Sequence, residues 1–394
     1  LRSALRSLPS TVWLLGLISL LNDAASELVY PLIPLYLATV LAAGPRALGL
    51  IEGAAEATAA LLKLVSGVWY DRIGRAKGFV VAGYSLAALS RPLIALVTAW
   101  PGLLALRLLD RLGKGLRSSP RDALLAGSVA PAQRGLAFGL HRAFDNAGAV
   151  IGPLLAAALL ALQVPIREII LWAALPGALC VALALSLREP PRPPRAMPGM
   201  PEWTWRALPL PFRRLLLALA VFTLGQASNA FFLLRAAELG MPAAQVALLW
   251  AAVAASSTAL AVPLSAWSDR FGRIPLLVAG WTVHALLFVA LARIGGTAPL
   301  WGVAVMLGVY MAATEGAERA LIADLVAPSM LGSAYGWYYL VKGLLLLPAS
   351  AAFGWIWYAA DAATAFSAAA ALVATATIVL ALWVRPAVQV AHRR

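Results

Sequence analysis

Apolar stretches of about 20 residues recur from Trp13 to Val384, separated by short polar breaks, and that length of helix crosses roughly 30 Å of hydrocarbon. Hydropathy predicts spans near residues 11 to 39, 46 to 70, 78 to 99, 102 to 123, 134 to 162 and 166 to 187. A second series lies near 213 to 236, 243 to 267, 275 to 293, 299 to 326, 332 to 358 and 361 to 384. The runs are continuously apolar, which excludes a β-barrel, whose strands alternate between lipid and lumen. Between the two series, Pro190, Pro191, Pro193, Pro194, Pro198, Pro201, Pro209 and Pro211 prevent helix and predict a semi-rigid extended connector. The expected architecture is an all-α integral membrane protein of twelve transmembrane helices, in two six-helix bundles over 1–188 and 213–394, with a cytoplasmic Pro-rich linker over 189–212.

Composition agrees: 62% of the 394 residues are hydrophobic and 12% charged, against about 25% charged in soluble chains. A net charge of +14 could suggest nucleic acid, so the position of the charge decides its meaning. With a cytoplasmic N-terminus, most of the 31 Lys and Arg fall on the cytoplasmic side, including Arg72, Arg75, Lys77, Arg188, Arg192, Arg213, Arg270, Arg393 and Arg394. Arg46, Arg167 and Arg293 fall outside. This is a positive-inside signature, so the expected partner is the lipid bilayer of the cell (inner) membrane, with both termini cytoplasmic and no nucleic acid. The first apolar stretch, after Arg2 and Arg6, lacks a small-residue cleavage site and reads as a retained span. Cys180, the single cysteine, allows neither an internal disulfide nor a thiolate metal cluster.

The halves repeat. Gly67, Asp71, Arg72, Gly74 and Arg75, after span two, are echoed by Asp269, Arg270, Gly272 and Arg273 after span eight. Gly135-Leu-Ala-Phe-Gly139 in span five is echoed by Gly332-Ser-Ala-Tyr-Gly336 in span eleven, one residue out of register. Six-helix halves repeated in parallel are a transporter architecture with a substrate site near the midplane. The run from Gly67 to Lys77 resembles the loop between helices two and three of the major facilitator superfamily, and the resemblance covers all twelve spans. It implies two pseudo-symmetric bundles in which a loop carboxylate faces a helix N-terminus and the loop arginines pair with acids such as Asp122 and Asp324. In span five, Gly139, Gly148, Gly152 and Pro153 are similar to the antiporter motif of drug and proton exchangers, with Ala156-Ala157 where that motif has two glycines. Such glycines leave a smooth face for close helix approach, and Ala251 to Ser257 in span eight would supply a small-residue counterpart. Arg107-Leu-Leu-Asp110-Arg111 resembles the superfamily's buried arginine and short polar pair, with Arg111-x-x-Lys114-Gly115 as a second possible phase.

Ionisable residues inside a membrane are functional candidates by default. In span one, Asp23 and Glu27 lie one turn apart, beside Asn22 and before Tyr30, Pro31 and Pro34. Glu52, Glu56 and Lys63 form one stripe of span two. In span four Arg107, Arg111, Lys114, Ser118 and Arg121 share a face, and span five adds His141, Arg142, Asp145 and Asn146. The second half offers Gln226, His284, Glu315, Glu318, Arg319, Trp337 and Lys342. Asp23, Glu27 and Glu56 are the expected proton carriers, unless Asp23 and Glu27 merely pair with Arg107, Arg111 or Arg142. Asn22, Tyr30, Arg107, Asp110, Arg111, Arg142, Asp145, Gln226, Glu315, Trp337 and Lys342 are expected to line the substrate cavity.

The expected activity is proton-coupled export of a small organic molecule by alternating access, by a monomer, with no cofactor or metal beyond the coupling proton. Two alternatives remain: a proton symporter importing an organic anion, favoured by the arginines of span four, and an integral membrane enzyme acting on a lipid-linked substrate. The sequence has no paired-His metal motif, nucleophile elbow or P-loop, so no enzyme chemistry is expected.

Overall fold

The computed structural model describes residues 8–130, 133–189, 205, 208–327 and 330–384, without the side chains of residues 71, 135, 265, 266, 268, 269 and 331–333. Among the described residues there are helices and no strand. The first span is α1 (Ser10–Val29) followed by α2 (Leu32–Thr39), parted at Tyr30-Pro31, where proline removes a helix donor. Next come α3 (Pro45–Ile73), α4 (Lys77–Leu93), α5 (Trp100–Gly127) and α6 (Arg134–Ala161). α7 (Ile166–Trp172) and α8 (Ala174–Leu185) make the sixth span. The seventh is split into α9 (Leu210–Gly225) and α10 (Ala230–Glu238), and α11 (Ala243–Phe271), α12 (Arg273–Arg293), α13 (Leu300–Leu325), α14 (Leu331–Ala359) and α15 (Ala362–Val379) follow. Asp361 caps α15 by accepting the Thr364 N–H at 2.6 Å, which holds its carboxyl below the usual carboxylate range.

Ten helices or helix pairs among the described residues are long and apolar enough to cross a membrane. α3 and α5, of 29 and 28 residues, have the length but are more heavily charged. Most of the expected linker, 190–204, lies outside the described residues. Pro211 sits in the first turn of α9, where a missing N–H costs no helix bond.

The chain forms two compact units. One comprises Leu1–Ala42, Ala54–Met197 and Pro242–Ala251; the other comprises Ala43–Gly53, Pro198–Met241 and Ala252–Arg394. The boundaries therefore fall inside α3 and α11. In the first unit, Val12, Leu15 and Ile18 of α1 bury against Val80 and Tyr84 of α4, Leu124 and Leu125 of α5, and Cys180 and Ala184 of α8. Cys180 is buried and donates to the Ile18 carbonyl, the setting of a core thiol. The core of the second unit contains aromatic clusters: Phe222 stacks on Trp281 with centroids 4.2 Å apart, and Phe231, Phe353, Trp357 and Phe366 meet edge to face or tilted.

Small residues set the helix spacings. A Cβ at Gly148 would come 2.6 Å from the Leu20 carbonyl oxygen, and one at Gly152 would come 2.6 Å from that of Ala24 and 2.7 Å from the Leu28 nitrogen. The glycines of span five thus lie directly against α1. Ser256 and Ser257, in the small-residue stretch of α11, meet α13, where a Cβ at Gly308 would collide with Ser256 Oγ and approach the Ser257 nitrogen at 2.9 Å. Gly74 and Gly272, equivalent in the repeat, both have left-handed backbone, with φ of 68° and 95°, a conformation glycine adopts without a Cβ penalty.

The glycine motif yields a discriminating test, because Gly139 has nothing within 4 Å of its notional Cβ. Gly148→Ala and Gly152→Ala should each destabilise the purified protein by about 1 to 3 kcal/mol through overpacking. Gly139→Ala should leave its thermal unfolding midpoint unchanged or raised, because alanine is the better helix former.

Candidate functional site

The polar chemistry of the first unit is organised around one carboxylate. Asp110 of α5 is 1% exposed and is met by three guanidinium groups. Arg91 places Nε and Nη2 each 3.0 Å from Oδ1, while Arg111 Nη1 lies 3.2 Å and Arg107 Nη1 3.7 Å from Oδ2. Arg107 and Arg111 come from the turns flanking Asp110 and Arg91 from α4, all buried. The arrangement is compelled, because a charge in a medium of low dielectric must be paired and hydrogen-bonded.

The network spreads from there. Arg91 Nη1 donates to the backbone and side-chain oxygens of Asn22 at 3.0 and 3.1 Å, and Asn22 Nδ2 donates to Asp23 at 2.8 Å. Arg111 Nε lies 3.1 Å from Glu56 Oε1 on α3. Lower in α5, Arg117 sits over the Tyr84 ring and Arg121 pairs with Asp122 at 2.9 Å. Asp145 accepts the Ser19 hydroxyl and faces His141 Nδ1 at 3.5 Å. Arg142, beside them on α6, is exposed.

Asp23 and Glu27 are set differently from Glu56. Among the described residues neither makes an ion pair. Glu27 instead accepts the indole N–H of Trp250, at the start of α11, at 2.7 Å, and Tyr30 lies against that indole with centroids 4.9 Å apart. Glu56, grouped with them on sequence, is the partner of an arginine.

In the second unit Glu318 of α13, 2% exposed, accepts Lys342 Nζ at 2.8 Å and the Tyr338 hydroxyl at 2.7 Å. Glu315 pairs with Arg319, whose carbonyl accepts from Tyr335 at 2.9 Å. Trp337 packs edge to face on Trp205. Gln226 ends α9 in extended backbone, so span seven is interrupted there, and Ser228 in the break donates to Glu52 at 3.3 Å. The break follows Gly225, whose notional Cβ would sit 2.8 Å from Leu372 Cβ of α15. His284 is buried among Phe222, Phe288 and Tyr310.

Of the repeated loop, the second copy brings Arg273 Nε to 3.4 Å from Asp324. In the first copy Asp122 is paired with its neighbour Arg121, and Arg72 and Arg75 are exposed. The side chains of Asp71 and Asp269 lie outside the described residues. The N-terminus of α4 is capped by Glu189, whose two oxygens accept the Ala76 and Lys77 N–H groups at 2.7 Å each. A Cβ at Gly67 would lie 3.6 Å from Ser119 Cβ of α5, and Pro153 lies within α6.

Sequence reasoning missed Arg91 and Glu189 as site residues, and it placed Trp250 only among the aromatics expected to line the cavity, not as the partner of Glu27. Arg91 carried a usable signal, since it lies within the apolar run of span three and obeys the same rule that singled out Arg107. The pairings of Glu189 and Trp250 carried none, because their partners are remote in sequence.

Comparison with known proteins follows the same lines. The Major Facilitator Superfamily profile matches residues 15–234. The uncharacterized MFS-type transporter MJ1317 of Methanocaldococcus jannaschii is 32% identical over 363 residues, covering 89% of each chain. Multidrug resistance protein MdtH of Photorhabdus laumondii is 29% identical over 314 residues, covering 78% of this chain and 77% of its own. Among solved structures, the nucleoside transporter NupG superposes with a TM-score of 0.74 at 16% identity, covering 96% of this chain and 99% of that one. The family profile and the relative at 32% identity mark a polytopic membrane transporter rather than an enzyme. The chain belongs to the Major Facilitator Superfamily.

The Asp110 cluster makes a stability prediction. Asp110→Asn leaves Arg91, Arg107 and Arg111 without their shared counter-charge, and losing one partner of a buried ion pair costs about 3 to 5 kcal/mol. The variant should unfold well below the parent on heating in detergent, whereas Asp122→Asn, at a 43% exposed side chain, should shift the midpoint little.

Proposed function

We propose that this protein is a proton-coupled exporter of a small organic molecule, working by alternating access as a monomer in the cell (inner) membrane. The proposal takes twelve spans, counting the charged α3 and α5, arranged as halves over 1–188 and 213–394 with both termini cytoplasmic. One observation carries it: Asp23 and Glu27 lie within a membrane-spanning helix and have no ion pair among the described residues, while Asp110 and Glu56 are held by arginines. A carboxylate locked to guanidinium groups is a poor proton carrier, since neutralising it strands the arginines. A carboxylate hydrogen-bonded to Asn22 or Trp250 and outside ion-pair range of an arginine can take up a proton at smaller cost. The similarity to MdtH supports export.

Proton carriage can drive export if the substrate prefers the deprotonated site, because each ligand then displaces the other. Asn22, Tyr30, Arg107, Asp110, Arg111, Arg142 and Asp145, with Gln226, Glu315, Trp337 and Lys342 of the second unit, are the proposed substrate-handling residues. The repeated loop, from Gly67 to Arg75 and again at Asp269 and Arg273, serves as a conformational latch that biases the transport states without touching substrate.

A second reading, import of an organic anion with protons, draws on the three arginines gathered at Asp110. Purified protein in liposomes with an imposed pH gradient, screened with organic cations, neutral drugs and organic anions, separates the two. Antiport moves substrate against the proton flux, and symport moves it with the flux. Asp23→Asn and Glu27→Gln should each lose at least about tenfold of gradient-driven flux, a change of ~1.4 kcal/mol. Both should lose substrate-induced proton release while retaining downhill exchange. Normal proton release in both variants refutes their role as carriers.

A further inference from the structure

A groove of about 1090 Å³ opens where α3 ends, α4 begins and α8 runs into residues 188 and 189. Its polar rim is Arg75, Lys77, Arg188 and Glu189. Among the described residues the three cations make no ion pair. Glu189 turns both of its oxygens to the first backbone N–H groups of α4, and its single negative charge against three cations leaves the rim net positive. The wall of the groove is apolar, formed by Ile73, Phe79, Val81, Leu116 and Leu185, with Ile73 56% and Leu185 57% exposed.

The position of this groove fixes the chemistry of its occupant. α4 and α8 belong to apolar spans, and their ends in the groove mark the edge of the hydrocarbon. A cationic rim at that level, continuous with an exposed apolar wall, matches a molecule with an anionic head and a hydrocarbon tail. A soluble anion would leave the wall unused, and a zwitterionic lipid would offset the rim's attraction with its own ammonium. We propose that the groove binds an anionic glycerophospholipid, its phosphate held by Arg75, Lys77 and Arg188 and an acyl chain laid along Phe79, Val81, Leu116 and Leu185. Bound there, the lipid joins the end of α3 to the start of α4 and the end of α8.

The test is lipid binding to the purified full chain in detergent, followed by native mass spectrometry during titration with phosphatidylglycerol. Phosphatidylcholine of the same chain length and chainless glycerophosphate provide the comparisons. Phosphatidylglycerol should bind at least about tenfold more tightly than phosphatidylcholine, and the combined R75Q, K77Q and R188Q variant should lose that preference. Leu185→Ser should weaken phosphatidylglycerol without creating a preference for phosphatidylcholine. Arg75 and Arg188 are exposed, so the R75Q and R188Q pair gives the same reading if the triple variant does not fold. Equal binding of the two lipids by the parent, or an undiminished preference in the R75Q and R188Q pair, overturns the proposal. Competition by glycerophosphate at the concentration where the lipid acts shows a soluble-anion site and overturns it equally.

Discussion

Every charge that this chain carries into the membrane must be answered inside the protein, and Asp110 is where most of that demand is met. Arg91, Arg107 and Arg111 converge on one carboxylate, so three cations from two helices share a single counter-charge. The excess positive charge is answered further out, by Glu56 on α3 and by the oxygens of Asn22 on α1. The charged helix α5 is thereby bound to α1, α3 and α4, and its Arg107, Asp110, Arg111 and Arg117 are buried while Lys114 is exposed. This reverses the rule for helices in water, whose charged face is the solvated one.

The same ties set what is left over for function. Because the arginines are taken by Asp110 and Glu56, Asp23 and Glu27 on α1 are held by neutral donors, Asn22 and Trp250. A neutral donor leaves a carboxylate able to change its charge, and an arginine does not. Close approach of α6 to α1 at Gly148 and Gly152 fixes the backbone that carries both acids, since the notional Cβ atoms of those glycines would meet Asp23 Cβ at 3.0 Å and the Glu27 carbonyl carbon at 2.8 Å. The glycine motif thus holds the acid-bearing stretch of α1 in place, a positioning task as much as a sliding one.

In the second unit the pair of buried Glu318 with Lys342 is completed by the Tyr338 hydroxyl, and Phe222 and Trp281 stack in the core. The repeat therefore preserves helices and turns while the chemistry diverges. Gly74 and Gly272 keep the same left-handed turn, yet Asp145 and Lys342, which correspond in the register that aligns Gly139 with Gly336, carry opposite charge and find unrelated partners.

The sequence by itself determined the membrane class, the apolar helical spans, the superfamily and many of the buried ionisable residues, though not Arg91 or Arg117, because hydrocarbon thickness and the cost of buried charge act on local composition alone. It also placed the proline break of the first span, since proline removes its own donor wherever it stands. Only the tertiary structure decided which charge answers which: Arg91 with Asp110, Glu56 with Arg111, Glu27 with Trp250, Glu189 with the start of α4. It likewise decided the break at Gln226, where no proline stands and a glycine lies tight against α15. Pairing is a property of helix faces brought together from distant parts of the chain. A periodic pattern fixes which face a residue occupies but leaves open which neighbour that face will meet.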